Sequence, residues 1–177
     1  DDIERTTARI ANALTSLGLS DGARVAVQVE KSPEALLLYL ACLRAGLVYL
    51  PLNTAYRETE IDYFLGNAEP EVVVCSPIND SWIRPIAARL KGSHVYTLGE
   101  AGDGSLLAFV AGFGDRFETR DRADQDLAAI LYTSGTTGRS KGAMLSHGNL
   151  SSNAQVLDLA WRWRASDVLL HALPIFH

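Results

Sequence analysis

The amino-acid sequence predicts an α/β fold: a layered, mostly parallel sheet with helices on both faces. Two observations carry that expectation. Short β-branched runs alternate along the chain with stretches of helical period, and the runs at 25–29 and 72–75 are apolar at almost every position. Strands of a parallel sheet are covered on both sides, so they read as continuous apolar runs and not as alternating ones. A third observation supplies the means: 177 residues with 47% hydrophobic and 21% charged content can build a packed core and leave little room for disorder.

Each element has its own local signal. Ile3, Ile10, Leu14 and Leu17 recur near helical spacing beside Ala8 and Ala11, and Gly18 with Ser20-Asp21-Gly22 closes that first helix. Arg24 to Val29 follows as a strand covered on both faces. Ser32 and Pro33 look like an N-cap and a first-turn proline for a helix that runs to about Arg44 and stops at Gly46. With a strand at Leu47 to Leu50 this completes a βαβ unit. The pattern repeats as a helix near Glu58 to Asn67, a strand at Val72 to Cys75, a helix near Trp82 to Leu90 and a strand at His94 to Leu98.

Regularity lapses between Gly99 and Asp126, where Gly102, Gly104, Gly112 and Gly114 precede a mixed-charge stretch that reads as a solvated connection. Leu127 to Tyr132 is then expected as a buried strand, Ala143 to Ser146 as a second strand, and His147 to about Leu159 as a helix capped by Ser146. Val168 to Leu173 is expected as a further strand. The organisation expected is a βαβ-rich first subdomain at 1–98, a linker-like connection at 99–126 and a second αβ segment at 127–177. Position 1 is Asp, not Met, and the apolar end at Leu173 to His177 has no terminal punctuation, so the expectation is a segment of a longer chain.

Charge and composition narrow the function. A formal net charge of -5 without any extended Lys/Arg cluster argues against a nucleic-acid or anionic-membrane surface. No apolar run is long enough to span a bilayer, and the acidic Asp1-Asp2 is unlike a signal or transit peptide, so a soluble, cytosolic protein is expected. Cys42, in the apolar run from Ala35 to Ala45, and Cys75, at the end of a valine run, read as small buried hydrophobes and not as disulfide partners. A polyanionic ligand would need a local device in so acidic a chain.

One stretch supplies it: Thr133-Ser134-Gly135-Thr136-Thr137-Gly138-Arg139-Ser140-Lys141-Gly142. Backbone N–H groups cradle an anion only where the chain turns tightly and no side chain intervenes, which is the use of Gly135, Gly138 and Gly142. Ser134, Thr136 and Thr137 add hydroxyl donors for phosphate oxygens, and Lys141 adds a mobile point charge. Arg139, at the loop tip, is expected in solvent. The Walker-type loop has four residues between its glycines, then Lys followed by Ser or Thr, and opens a helix. Here two residues separate Gly135 from Gly138, Gly142 follows Lys141 and a strand comes next, which disfavours a GTPase or kinase of that type.

The run Tyr132 to Gly142 resembles the signature loop of the adenylate-forming superfamily, which includes acyl-CoA synthetases, luciferases and peptide-synthetase adenylation domains. The resemblance extends through Tyr39 to Tyr56 and Leu173 to His177, and the wording of Leu50 to Tyr56, Ser140 to Leu150 and His171 to His177 looks most like malonyl-CoA synthetases. It implies the N-terminal portion of the superfamily's large domain and a two-step ligase. A carboxylate attacks the α-phosphorus of ATP to give acyl-AMP and pyrophosphate, and the thiol of coenzyme A then displaces AMP. It further implies Thr133 to Gly138, Lys141 and Gly142 as nucleotide-binding residues, Lys141 and His177 as catalytic residues, His177 beside the acyl pocket, and Mg²⁺ sharing the phosphate charge. The metal's carboxylate ligand belongs to a motif beyond residue 177, so no metal ligand is assigned.

Two other readings keep the same loop. In one the chain is a non-catalytic nucleotide-binding fragment; in the other it is an adenylation domain that loads a carrier protein. His147 is expected to cap or pack, Tyr39, Tyr49, Tyr56 and Tyr63 to pack helices and strands, and Trp161 and Trp163 to lie in an exposed strand or turn.

Overall fold

The computed structural model describes residues 2–90, 93–133 and 140–176. Its elements run in the order α1 (Asp2–Thr15), β1 (Arg24–Gln28), α2 (Pro33–Arg44), β2 (Val48–Pro51), α3 (Glu58–Ala68), β3 (Val72–Cys75), a 3-10 turn (Pro77–Asn79), α4 (Asp80–Ala87), β4 (His94–Thr97), α5 (Ser105–Val110), β5 (Leu127–Thr133), β6 (Lys141–Ser146) and α6 (His147–Trp161). The described residues form a six-stranded sheet in the order β4-β3-β1-β2-β5-β6. The first five strands are parallel, and β6 returns antiparallel along β5. The fold is therefore the expected layered α/β sheet.

Strand order explains which face each helix takes. The chain steps from β1 outward to β2, crosses back over β1 to β3, continues to β4 and returns to β5. Crossovers between parallel strands keep one hand, so a reversal of direction moves the connecting helix to the other face. The two cores separate accordingly. One gathers Ile10, Leu14, Leu38, Cys42, Leu106 and Val110 from α1, α2 and α5 over Val25, Val27, Tyr49, Val72 and Val74. The other gathers Ile61, Phe64, Leu65, Ile83 and Ala87 from α3 and α4 over Ala26, Val48, Leu50, Val73 and Cys75. Odd and even positions of β1 and β3 thus enter different cores, which is why both runs are apolar throughout.

The turn chemistry behaves as the sequence indicates. The Ser32 hydroxyl accepts from the Ala35 N–H at 3.1 Å and Pro33 opens α2. At its other end Gly46 donates to the Leu43 carbonyl and Leu47 to the Cys42 carbonyl, a Schellman closure with Gly46 at φ +67°. That positive φ is what calls for glycine at position 46, beside the Arg122 guanidinium.

Two expectations change. α5, inside the stretch expected to be irregular, is a helix of six residues between glycine-containing turns. Such a helix is too short to display a period in sequence, and it is held by burial of Leu106 and Val110 and by reciprocal bonds between Ser105 and Thr97. The remainder of that stretch lies over α1 and α2: Asn12 donates to the Gly114 and Arg116 carbonyls, Arg44 to the Phe117 carbonyl, and Arg5 pairs with Asp115. The strand expected at Val168 to Leu173 is absent. Those residues have no regular structure, and Val168 is 93% exposed, because no neighbouring strand lies beside them among the described residues to complete their hydrogen bonds. Among the described residues no helix is long and apolar enough to cross a membrane.

Candidate active site

The candidate nucleotide loop joins β5 to β6. Of its residues Ser134, Gly135, Thr136, Thr137, Gly138 and Arg139 lie outside the described residues, as does His177. The structure does place the two stems. β5 delivers Thr133 and β6 begins at Lys141, directly opposite it in the ladder, with Gly142 opposite Tyr132. The Thr133 hydroxyl lies 3.5 Å from the Lys141 carbonyl, and the Lys141 side chain is exposed at the mouth of the hairpin. Gly142 is required by close packing: a Cβ there would sit 2.9 Å from Cγ2 of Ile130. Thr133, Lys141 and Gly142 are thus brought together, and an ammonium group at that point is suited to a phosphate's outer oxygens.

Below the loop the stems rest on α3. The Tyr63 hydroxyl donates to the Ser140 carbonyl at 3.0 Å, and the Tyr132 hydroxyl donates to Oδ1 of Asn67 at 2.5 Å. Phe64 packs against both, its ring centroid 4.4 Å from that of Tyr132 and 5.4 Å from that of Tyr63. Burial, with the neighbouring Tyr63, holds the Tyr132 phenol above its ordinary pKa, so at neutral pH it remains a donor. Tyr63 packs, as its sequence position indicates, but its reach to the loop was not expected. The available signal was the four-residue separation of Tyr63 and Asn67, which puts both on one face of a helix.

A second feature lies on the opposite face of β5. A cavity of about 260 Å³ is walled by Tyr39, Tyr49, Pro51, Leu131, Leu145 and Ile175, among others. Its lining holds no Lys or Arg among the described residues. Burial raises the Tyr39 and Tyr49 phenols, keeping them neutral. Outside that lining, Lys31 donates to the His171 carbonyl at 2.7 Å and the Leu173 carbonyl at 3.2 Å.

The remaining candidates are structural. His147 is the first residue of α6, and its N–H donates to the Asp126 carbonyl at 2.9 Å. Trp161 and Trp163 meet edge to face at 5.7 Å around Arg162, which ends α6 in the left-handed conformation. Cys42 and Cys75 are buried free thiols, and burial pushes Cys75 up to about 12. Among the described residues no group of three or more His, Cys, Asp or Glu side chains is placed to hold a metal ion.

Comparison with known proteins places this arrangement. The family model described as "AMP-binding enzyme" matches residues 1–177. Feruloyl-CoA synthase of an Amycolatopsis species is 32% identical over 180 residues, covering 99% of this chain and 34% of that protein. Malonate–CoA ligase of Arabidopsis thaliana is 28% identical over 162 residues, covering 90% and 26%. Among solved structures, apo MatB from Rhodopseudomonas palustris superposes with a TM-score of 0.94 at 57% identity, covering 99% of this chain and 34% of that one; the ATP-bound form of the same protein gives 0.94 at 58%. The chain spans about a third of the length of these relatives. With the loop stems, the six-stranded sheet and a family match along its whole length in agreement, this chain belongs to the AMP-binding, adenylate-forming enzyme family.

Proposed function

We propose that this chain supplies the phosphate-binding part of an ATP-dependent acid–thiol ligase, which forms an acyl-adenylate and then an acyl-CoA, with malonate or a related short dicarboxylate as the acid. The observation that carries the reading is the β5–β6 hairpin: its stems bring Thr133, Lys141 and Gly142 to one point, in a fold that superposes closely on a protein also solved with ATP bound. In this reading residues 127–177 hold the triphosphate, 1–98 supply the four strands β1 to β4 that support them, and 99–126 connect the two. Thr133 to Gly138 and Gly142 surround the phosphates, and Lys141 neutralises charge that moves onto the departing pyrophosphate. Donors fixed before reaction lower such a barrier most. Mg²⁺ would share the phosphate charge, with its carboxylate ligand supplied from elsewhere in the polypeptide.

The dicarboxylate preference rests on the wording shared with malonyl-CoA synthetases and on the likeness to MatB and malonate–CoA ligase. The cavity beside β5 is apolar and cation-free among its described walls, so recognition of a second carboxylate is assigned to residues outside it, with His177 lining the acyl pocket. The experiment is acid-dependent exchange of labelled pyrophosphate into ATP by the whole protein, across a panel of mono- and dicarboxylic acids, followed by thioester formation on free CoA. Exchange with malonate exceeding that with acetate, propionate and aromatic acids is expected. No exchange with any acid would sink the ligase reading, exchange without transfer to free CoA would point to a carrier-protein acceptor, and a preference for monocarboxylates would remove only the substrate assignment.

A further inference from the structure

The stems of the nucleotide loop are each tied to the same helix by a side-chain hydrogen bond. Tyr63 and Asn67, one turn apart on α3, reach opposite stems: Tyr63 bonds to the carbonyl of Ser140, just before β6, and Asn67 takes the hydroxyl of Tyr132, near the end of β5. Neither bond is needed to complete the sheet. The β5–β6 ladder is already paired at Leu131 with Ala143, Tyr132 with Gly142 and Thr133 with Lys141. Nor do they anchor α3, whose Ile61, Phe64 and Leu65 are buried in the core. What they add is a fixed position for the two chain ends from which the loop springs.

We propose that Tyr63 and Asn67 are positioning residues for the nucleotide loop, setting the separation and tilt of its stems and hence the place of Lys141 relative to the triphosphate. The proposal rests on the ligase reading for its consequence in catalysis, but not for its consequence in structure. Ser140 is bonded through its backbone, so the constraint acts directly on the peptide preceding Lys141. The Phe64 ring packs against those of both Tyr132 and Tyr63. A hydrogen bond of this kind contributes modestly to stability, whereas a displaced catalytic group can cost far more in rate. The brace should therefore show in nucleotide handling more than in global stability.

The test uses Tyr63→Phe and Asn67→Ala in the whole protein, each of which leaves the Phe64 wedge in place. Hydrogen–deuterium exchange of peptides covering 131–146 should rise in both variants while exchange of β1 and β3 stays unchanged. The Kd for ATP, measured by titration calorimetry, should weaken by about threefold to tenfold. The KM for ATP should rise in parallel, with the KM for the acid and the rate of thioester formation from preformed acyl-AMP unaltered. Unchanged exchange at 131–146 in both variants would overturn the brace whatever the kinetics. So would equal losses in both half-reactions, or losses that merely track a lowered Tm. A wild-type protein that binds no ATP would overturn the ligase reading instead, and the loosened stems would then stand as the brace's structural effect alone.

Discussion

The middle of the sheet and its β6 edge are built to different rules. Around β1 and β3 every neighbour is present: Val25, Ala26, Val72 and Val74 are fully buried, helices cover both faces, and caps close α2 at each end. At the β5–β6 end the same chain exposes Met144 (73%), and α6 has no buried residue along its length. The comparison teaches that stability and candidate chemistry occupy different parts of the molecule. The loop stems stand at the border, tied by Tyr63 and Asn67 to α3 of the buried region.

If that division holds, truncation should be costly on one side and nearly silent on the other. Phe64→Ala, which empties the wedge between Tyr56, Tyr63 and Tyr132, should lower unfolding free energy by about 3–5 kcal/mol. Met144→Ala should stay within about 0.5 kcal/mol. Denaturant titration of both variants checks the pair, and a costly Met144→Ala would show that the exposed face is covered in solution.

Lys141→Ala tests the chemical side. The side chain is exposed and leaves no cavity, so folding should be unaffected, while adenylation should slow by about 10²–10³-fold. Thioester formation from preformed acyl-AMP should change little, and comparable losses in both half-reactions would contradict the assigned role.

Two helix caps of the same chemistry offer a finer contrast. The Ser32 hydroxyl accepts from Ala35 N–H in the buried region, and the Ser146 hydroxyl accepts from Asn149 N–H at the start of α6. Ser32→Ala should cost about 1 kcal/mol of global stability. Ser146→Ala should instead speed amide exchange in the first turn of α6 with little change in the unfolding midpoint, because α6 adds few buried contacts to the global transition.

The smallest effect expected is electrostatic. Arg122 beside Asp21, and Arg5 beside Asp115, hold these carboxyls below their ordinary pKa. For a depressed acid the stabilisation is present above the unfolded-state pKa and is lost as pH falls through the lower folded value. Stability should therefore decline as pH drops below about 4, and Asp21→Asn should flatten part of that slope. Asp21 is solvent-exposed and Asp115 half-buried, so added salt should shrink the difference, most of all at Asp21.

Legibility in sequence followed the same division. The cap at Ser32, the stop at Gly46 and the double-faced valine runs were readable because each is decided within a few residues by φ, hydrogen bonding or period. α5 was not, since six residues do not reveal a period and its helix depends on the Thr97–Ser105 contact and on buried Leu106. The expected strand at Val168 to Leu173 failed for a complementary reason: an apolar run becomes a strand only if another strand lies beside it. At the candidate site, the residue types of the loop and its place between two strands were visible; the pairing of Thr133 with Lys141 and the contribution of Tyr63 and Asn67 were not.

The sequence by itself determined the alternation of strands and helices, the helix caps and the family-specific loop, because these are set by local dihedrals, short-range bonds and side-chain type. Only the tertiary structure decided the strand order β4-β3-β1-β2-β5-β6, the assignment of helices to faces, and the contact of α3 with stems more than sixty residues away in the chain. Those depend on which distant segments meet: the spacing of Tyr63 and Asn67 puts them on one helix face, but nothing local says what that face will touch.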